Sequence, residues 1–136
     1  RSYCMNAVQI VEVLIGDADR KYAYRSVTMA DFIDIRRNGV RPKYNPEVRG
    51  YPLKGGKPLE TFDVIWFSDD YQETRGYNDQ LTIRFPWPIE NEEISDSGFV
   101  CFTPIPVSVV EVEVDLTGEW VPIRKATIRQ NMVVKR

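Results

Sequence analysis

The stretch "VEVEVDLTGEW", residues 110–120, decides how the chain is read. Valines at 110, 112 and 114 alternate with acids at 111, 113 and 115, a period of two that gives a strand one apolar and one charged face. Thr117-Gly118 then offers a turn, and "VPIR" resumes the alternation beyond it. A two-residue turn there sets Leu116 opposite Glu119, Val114 opposite Val121, Val112 opposite Ile123, and Glu111 facing Arg124. The aliphatic side chains share one face, and Glu111 and Glu113 share the other, solvated, with Arg124. Such a hairpin predicts an antiparallel sheet with one covered face.

The rest of the chain repeats the pattern. Residues 7–15, "AVQIVEVLI", are apolar on both faces apart from Gln9 and Glu12, as expected of a central strand. "GDAD" turns the chain into a second strand at 20–27, giving an N-terminal hairpin. Further strands are expected at 61–67, 81–85, 99–105, 107–116, 119–124 and 126–134, with Pro86-Trp87-Pro88 ending one or marking a sheet edge. One helix interrupts them. Thr28 and Asp31 have the spacing of an N-cap and its reciprocal acid, Met29, Phe32 and Ile33 form an apolar stripe, and Gly39 supplies the stop, predicting a helix over 29–38. The fold class is therefore mainly β: a small antiparallel barrel or sandwich of about eight strands, one short α-helix and a long ordered loop, in a single β-rich domain over residues 1–136. "RSYC", residues 1–4, reads as an extension or a product of processing and is left out of that reading.

The long loop is the segment at 36–58, "RRNGVRPKYNPEVRGYPLKGGKP", with seven basic side chains against one acidic, four prolines and four glycines. It belongs to a wider sorting of charge. Residues 20–57 sum to +7 and residues 58–119 to −12, although the whole chain is only −2. If the blocks stay apart on the surface, each attracts a partner of opposite sign; if they meet as neighbouring strands, they neutralise each other.

Exclusions are as informative as motifs. The chain has no histidine, so imidazole-based nucleophile systems, histidine general acids and histidine metal sites are ruled out. Cys4 and Cys101 form neither a disulfide framework nor a metal set; Cys101, in "GFVCFTPI", is expected to be a buried free thiol, which points to a reducing, cytoplasmic setting. Asp17, Asp19, Asp69 and Asp70 serve turns more simply than a cation, and "KGGKP" lacks phosphate-loop spacing. Apolar runs are too short for a membrane-spanning helix. No catalytic residue, metal or small-molecule cofactor is expected.

The expected function is a non-catalytic binding or assembly module that engages a protein partner, or copies of itself, through segregated basic (20–57) and acidic (58–119) surfaces. The basic candidates are Arg36, Arg37, Arg41, Lys43, Tyr44, Arg49, Tyr51, Lys54 and Lys57. The acidic candidates are Asp69, Asp70, Glu73, Glu90, Glu92 and Glu93. The alternative is nucleic-acid binding through loop 36–58, joined by Arg129, Lys135 and Arg136, with cations tracking a backbone while Tyr44 and Tyr51 stack on bases.

Overall fold

A computed structural model describes residues 21–50, 53, 61–129 and 132–135. The expected strand at 7–15, the "GDAD" turn and the N-terminal hairpin lie outside the described residues. Within them the chain is mainly β, with ten strands and two helices. In chain order these are β1 (Tyr22–Val27), α1 (Met29–Asn38), β2 (Lys43–Tyr44), β3 (Asp63–Ser68), α2 (Tyr71–Thr74) and β4 (Leu81–Pro86). They continue with β5 (Glu92–Glu93), β6 (Gly98–Cys101), β7 (Glu111–Glu113), β8 (Trp120–Pro122), β9 (Ala126–Arg129) and β10 (Met132–Lys135). No helix among the described residues is long and apolar enough to cross a membrane.

Eight strands form one antiparallel sheet in the order β5-β6-β3-β1-β4-β7-β8, with β2 pairing the start of β3; β9 and β10 form a separate hairpin. Among the described residues the sheet stays open, so the architecture there is sandwich-like rather than a closed barrel. Alternation places Ala23, Val27, Ile65, Phe67, Ile83, Phe85, Cys101, Val112 and Val121 on one face. They bury against Phe32 and Ile35 of α1 and against Ile105, Val110, Ile123, Ala126 and Val133. This is the larger core. A smaller one, built on Val48, Leu53, Val64, Ile94 and Val100, sits at the β3–β6 end.

Helix α1 begins and ends as its sequence predicts. The Thr28 hydroxyl accepts from the Asp31 amide, and the Asp31 carboxylate accepts from the Thr28 amide in return. Gly39, at φ 77°, closes it by donating to the Ile35 carbonyl at 2.8 Å. That dihedral suits glycine.

Four sequence expectations are corrected. Residues 107–116 are not one strand: Val107–Val109 form a 3-10 turn and only Glu111–Glu113 pair in the sheet. Residues 126–134 are two strands that pair with each other, and with the short strands β2 and β5 they bring the described count to ten. The β7–β8 register sets Val112 opposite Val121 and Glu111 opposite Pro122, two residues from the expected pairing. A slip of two preserves the face of every side chain, whereas a slip of one would have reversed it. The loop is Asp115–Gly118 rather than Thr117-Gly118, with Asp115 and Leu116 both at positive φ. Glu113 is what widens it. Its Oε2 accepts from the Gly118 amide at 2.9 Å and also from the Tyr71 hydroxyl. Glu113 is therefore not on a solvated face but only 3% exposed.

Cys101 is a free, buried thiol, as expected. Burial pushes its pKa up to about 12 from 9.0. At mildly alkaline pH its thiolate fraction is then roughly a thousandth of that of an ordinary thiol. The gain in intrinsic nucleophilicity recovers only about twentyfold of that loss. In a Cys4→Ser background, iodoacetamide should label native protein at least about fiftyfold more slowly than urea-unfolded protein. Equal rates would mean that the thiol is accessible.

Candidate interaction site

Helix α1 places Met29, Phe32, Ile33, Arg36 and Arg37 within two turns, a spacing that puts them along one side of a helix. Opposite them, Ala126, Thr127 and Ile128 of β9 complete a groove of about 650 Å3. Three consecutive residues of one strand line it, so β9 presents its edge rather than a face. Among the described residues that edge has no strand partner, because β9 pairs only with β10. The groove thus combines unused backbone pairing capacity with an apolar wall, in which Ile33 is 56% exposed. Arg36 and Arg37 stand at its end, in the last turn of α1, where a cation also meets the negative end of the helix dipole. Arg36 is braced by donating from Nη2 to the Arg124 carbonyl at 3.2 Å, and its buried Nε has no acceptor among the described residues.

The structure divides the basic candidates. Arg41 Nη2 bonds Asp34 at 2.8 Å, and Lys43 lies 3.7 Å from both Asp31 and Asp34. The hydrogen bond from Asn38, with help from Arg41, holds the Asp34 carboxyl below its ordinary pKa. These cations are thus matched by the acids of α1, as the neutralised arrangement requires. Arg36 and Arg37 have no carboxylate partner among the described residues. Tyr44 is 64% exposed, its ring 6.3 Å from Phe62, so it does not bury itself to anchor the loop. Tyr51, Lys54, Lys57 and Arg136 lie outside the described residues, as do the side chains of Arg49 and Lys135; exposed Arg129 ends β9.

The acidic candidates fall into two groups. Asp69, Asp70 and Glu73 gather where β3 passes into α2, and Asp70 is occupied as the N-cap, its Oδ1 accepting from the Gln72 amide at 2.9 Å. Glu90, Glu92 and Glu93 stand on or beside β5, an edge strand; Glu90 and Glu92 are exposed and Glu93 is half-buried.

Two further constellations escaped sequence reasoning. On the face away from the larger core, the Arg84 guanidinium lies 3.9 Å over Tyr22 and 4.5 Å over Trp120, and its Nε bonds Glu111 at 2.6 Å. Glu111 is thus engaged across β4–β7 by Arg84, while Pro122 stands where Arg124 was expected. Rings of Tyr24, Tyr71 and Trp120 pack around this pair at centroid separations of 5.6 to 6.0 Å. Burial raises the pKa of both Tyr24 and Tyr71; at Tyr71 the Glu113 carboxylate adds to the effect. Cation, acid and rings satisfy one another, so the cluster is a clasp rather than an open site. The alternation "YAYR" contained its β1 half, but nothing local announced Arg84 or Trp120 as partners.

The second constellation is a cleft of about 720 Å3 where β1 and β3 part company, their only registered pair being Tyr24 and Ser68. Tyr24, Trp66 and Ser68 border it with Glu47, Glu73 and Asp96. Its lining brings acids and hydroxyls together, the Ser68 hydroxyl lying 3.5 Å from Glu73 Oε2. Comparison with protein-family models, with curated proteins and with solved structures gives no match. The chemistry of the groove and its surroundings therefore rests on the residues themselves.

Proposed function

We propose that this protein is a non-catalytic binding module whose α1–β9 groove receives an extended, acidic and apolar segment of a protein partner. The observation that supports this reading is the juxtaposition of a strand edge that has no partner among the described residues with an apolar helix wall ending in Arg36 and Arg37. Strand addition supplies affinity through the main chain, and the alternate side chains of the guest supply selectivity. Apolar residues of the guest would meet Phe32, Ile33 and Ile128, and its carboxylates would meet the two arginines. A buried free thiol at Cys101 suits a reducing compartment such as the cytoplasm.

The nucleic-acid reading draws support from exposed Tyr44 beside Lys43, but the pairing of Arg41 and Lys43 with Asp31 and Asp34 weakens the positive field it needs. A short fluorescent peptide of alternating valine and glutamate tests both readings by anisotropy, with a labelled single-stranded oligonucleotide in parallel. Peptide binding should weaken with salt and fall at least about tenfold in Ile33→Glu/Arg37→Glu, because the substitutions remove apolar area and reverse a charge. Absence of peptide binding up to about millimolar concentration, a free energy weaker than about −4 kcal/mol, would overturn the groove reading. A response to the oligonucleotide alone would transfer the function to nucleic acid.

A further inference from the structure

We infer that the groove's guest is the β5 edge of a second copy of this chain, so that the protein assembles head to tail. This rests on the groove reading above and names its partner. Among the described residues strand β5 has a partner on one side only, β6. Around it the sequence runs Ile89-Glu90-Asn91-Glu92-Glu93, with Ile89 54% exposed and Glu90 and Glu92 exposed. A short edge strand carrying exposed Glu92, with Ile89 and Glu90 exposed in the bend that leads into it, offers the apolar and carboxylate chemistry that Ile33, Arg36 and Arg37 accept.

Charged residues on edge strands ordinarily prevent edge-to-edge pairing. Here the signs make that protection selective. Two β5 edges repel each other through their acids, and two β9 edges bring Arg129 and the α1 arginines together. Only β5 against β9 brings opposite signs face to face, so like-with-like association is disfavoured while the unlike pair is allowed. Because groove and edge are different surfaces of one chain, each copy keeps a vacant groove at one end and a vacant edge at the other. The contact is heterologous, giving a ring if the rotation closes and a filament if it does not.

Blocked-end variants test this by light scattering and sedimentation. Ile33→Glu/Arg37→Glu spoils the groove, and Glu90→Arg/Glu92→Arg spoils the edge; all four positions are exposed, so both variants should fold. Wild type should associate at about 20 mM salt and dissociate towards monomer at about 500 mM, where charges more than a few ångströms apart are screened. Each variant alone should be monomeric. An equimolar mixture should give a one-to-one dimer and nothing larger, because one intact groove then meets one intact edge; its formation also shows that both variants are folded. If the mixture gives no dimer, far-UV circular dichroism identifies an unfolded variant, for which Arg37→Gln or Glu92→Gln substitutes with an expected loss of at least about threefold. Wild type monomeric at both salts, or edge-variant assembly as strong as wild type's, would overturn self-docking while peptide binding keeps the groove reading alive. Loss of peptide binding as well would overturn both.

Discussion

Replacing Gly39 by alanine is expected to lower stability by about 3–5 kcal/mol, a large part of the 5–15 kcal/mol of an ordinary domain. Two costs combine. At φ 77° and ψ −174° the backbone occupies a region that a Cβ makes unfavourable. In addition, that Cβ would run into the Ile105 carbonyl oxygen and lie 3.0 Å from the Val107 amide nitrogen. Both obstacles are main chain, and Ile105 is held there by reciprocal bonds with Val40 of 2.8 and 2.9 Å. Relief therefore means breaking the bridge that ties the end of α1 to the core. Gly118→Ala is the control, since Gly118 also has positive φ, 81°, but has nothing within 4 Å of the added carbon; strain alone should cost about 1–2 kcal/mol. Urea melts of the two variants decide the matter. A Gly39 loss no larger than the Gly118 loss would show that the Ile105 contact yields freely.

The second large effect is expected at Glu113. Glu113→Ala should cost about 3 kcal/mol, because it leaves the Tyr71 hydroxyl and the Gly118 amide without their buried acceptor. Glu113→Gln should stay within about 1 kcal/mol of wild type, since the amide oxygen keeps both bonds and the change removes a buried charge. The remaining oxygen, Oε1, is buried without a partner among the described residues, so no bond described there is lost when nitrogen replaces it. Chemical denaturation of the two variants and of Tyr71→Phe measures this. Alanine and glutamine variants of equal stability would mean that the carboxylate is not what joins α2 to the β7–β8 loop. Arg75 also supports that junction, donating from Nη2 to the Leu116 carbonyl at 3.0 Å. Tyr71→Phe should therefore lose less than Glu113→Ala.

Much of the fold was legible because its signals are local. Period-two valines, the Thr28–Asp31 capping pair and the glycine after Asn38 each act over a few residues, so strands, helix and helix ends could be read from spacing. The same locality misled at residues 107–116 and 126–134. Apolar runs rich in valine satisfy a strand pattern whether the chain stays extended, as at 111–113, or turns on itself, as at 107–109. The register error at 115–118 has a different origin. Thr117-Gly118 is a sound turn by itself, and only Tyr71, more than forty residues away in sequence, makes the wider loop the better one.

The candidate site was half visible. Arg36 and Arg37 stood out by composition, together with Arg41 and Lys43, but charge counting could not separate a paired cation from an unpaired one. That distinction depends on whether Asp31 and Asp34 can reach each one, and α1 carries those acids back towards residues 41–43. Ile128 and the β9 edge were not foreseen, because an unpaired edge is defined by the absence of a neighbour.

By itself, the sequence determined that the chain is mainly β, where the helix over 29–38 begins and ends, and that imidazole chemistry is excluded. Those outcomes follow from side-chain type and short-range spacing. Only the tertiary structure decided which strands meet, which charges cancel, and that Glu113 turns inward to pin a loop. These depend on contacts between residues far apart in the chain, whose pairing energies are comparable for many arrangements until the core selects one.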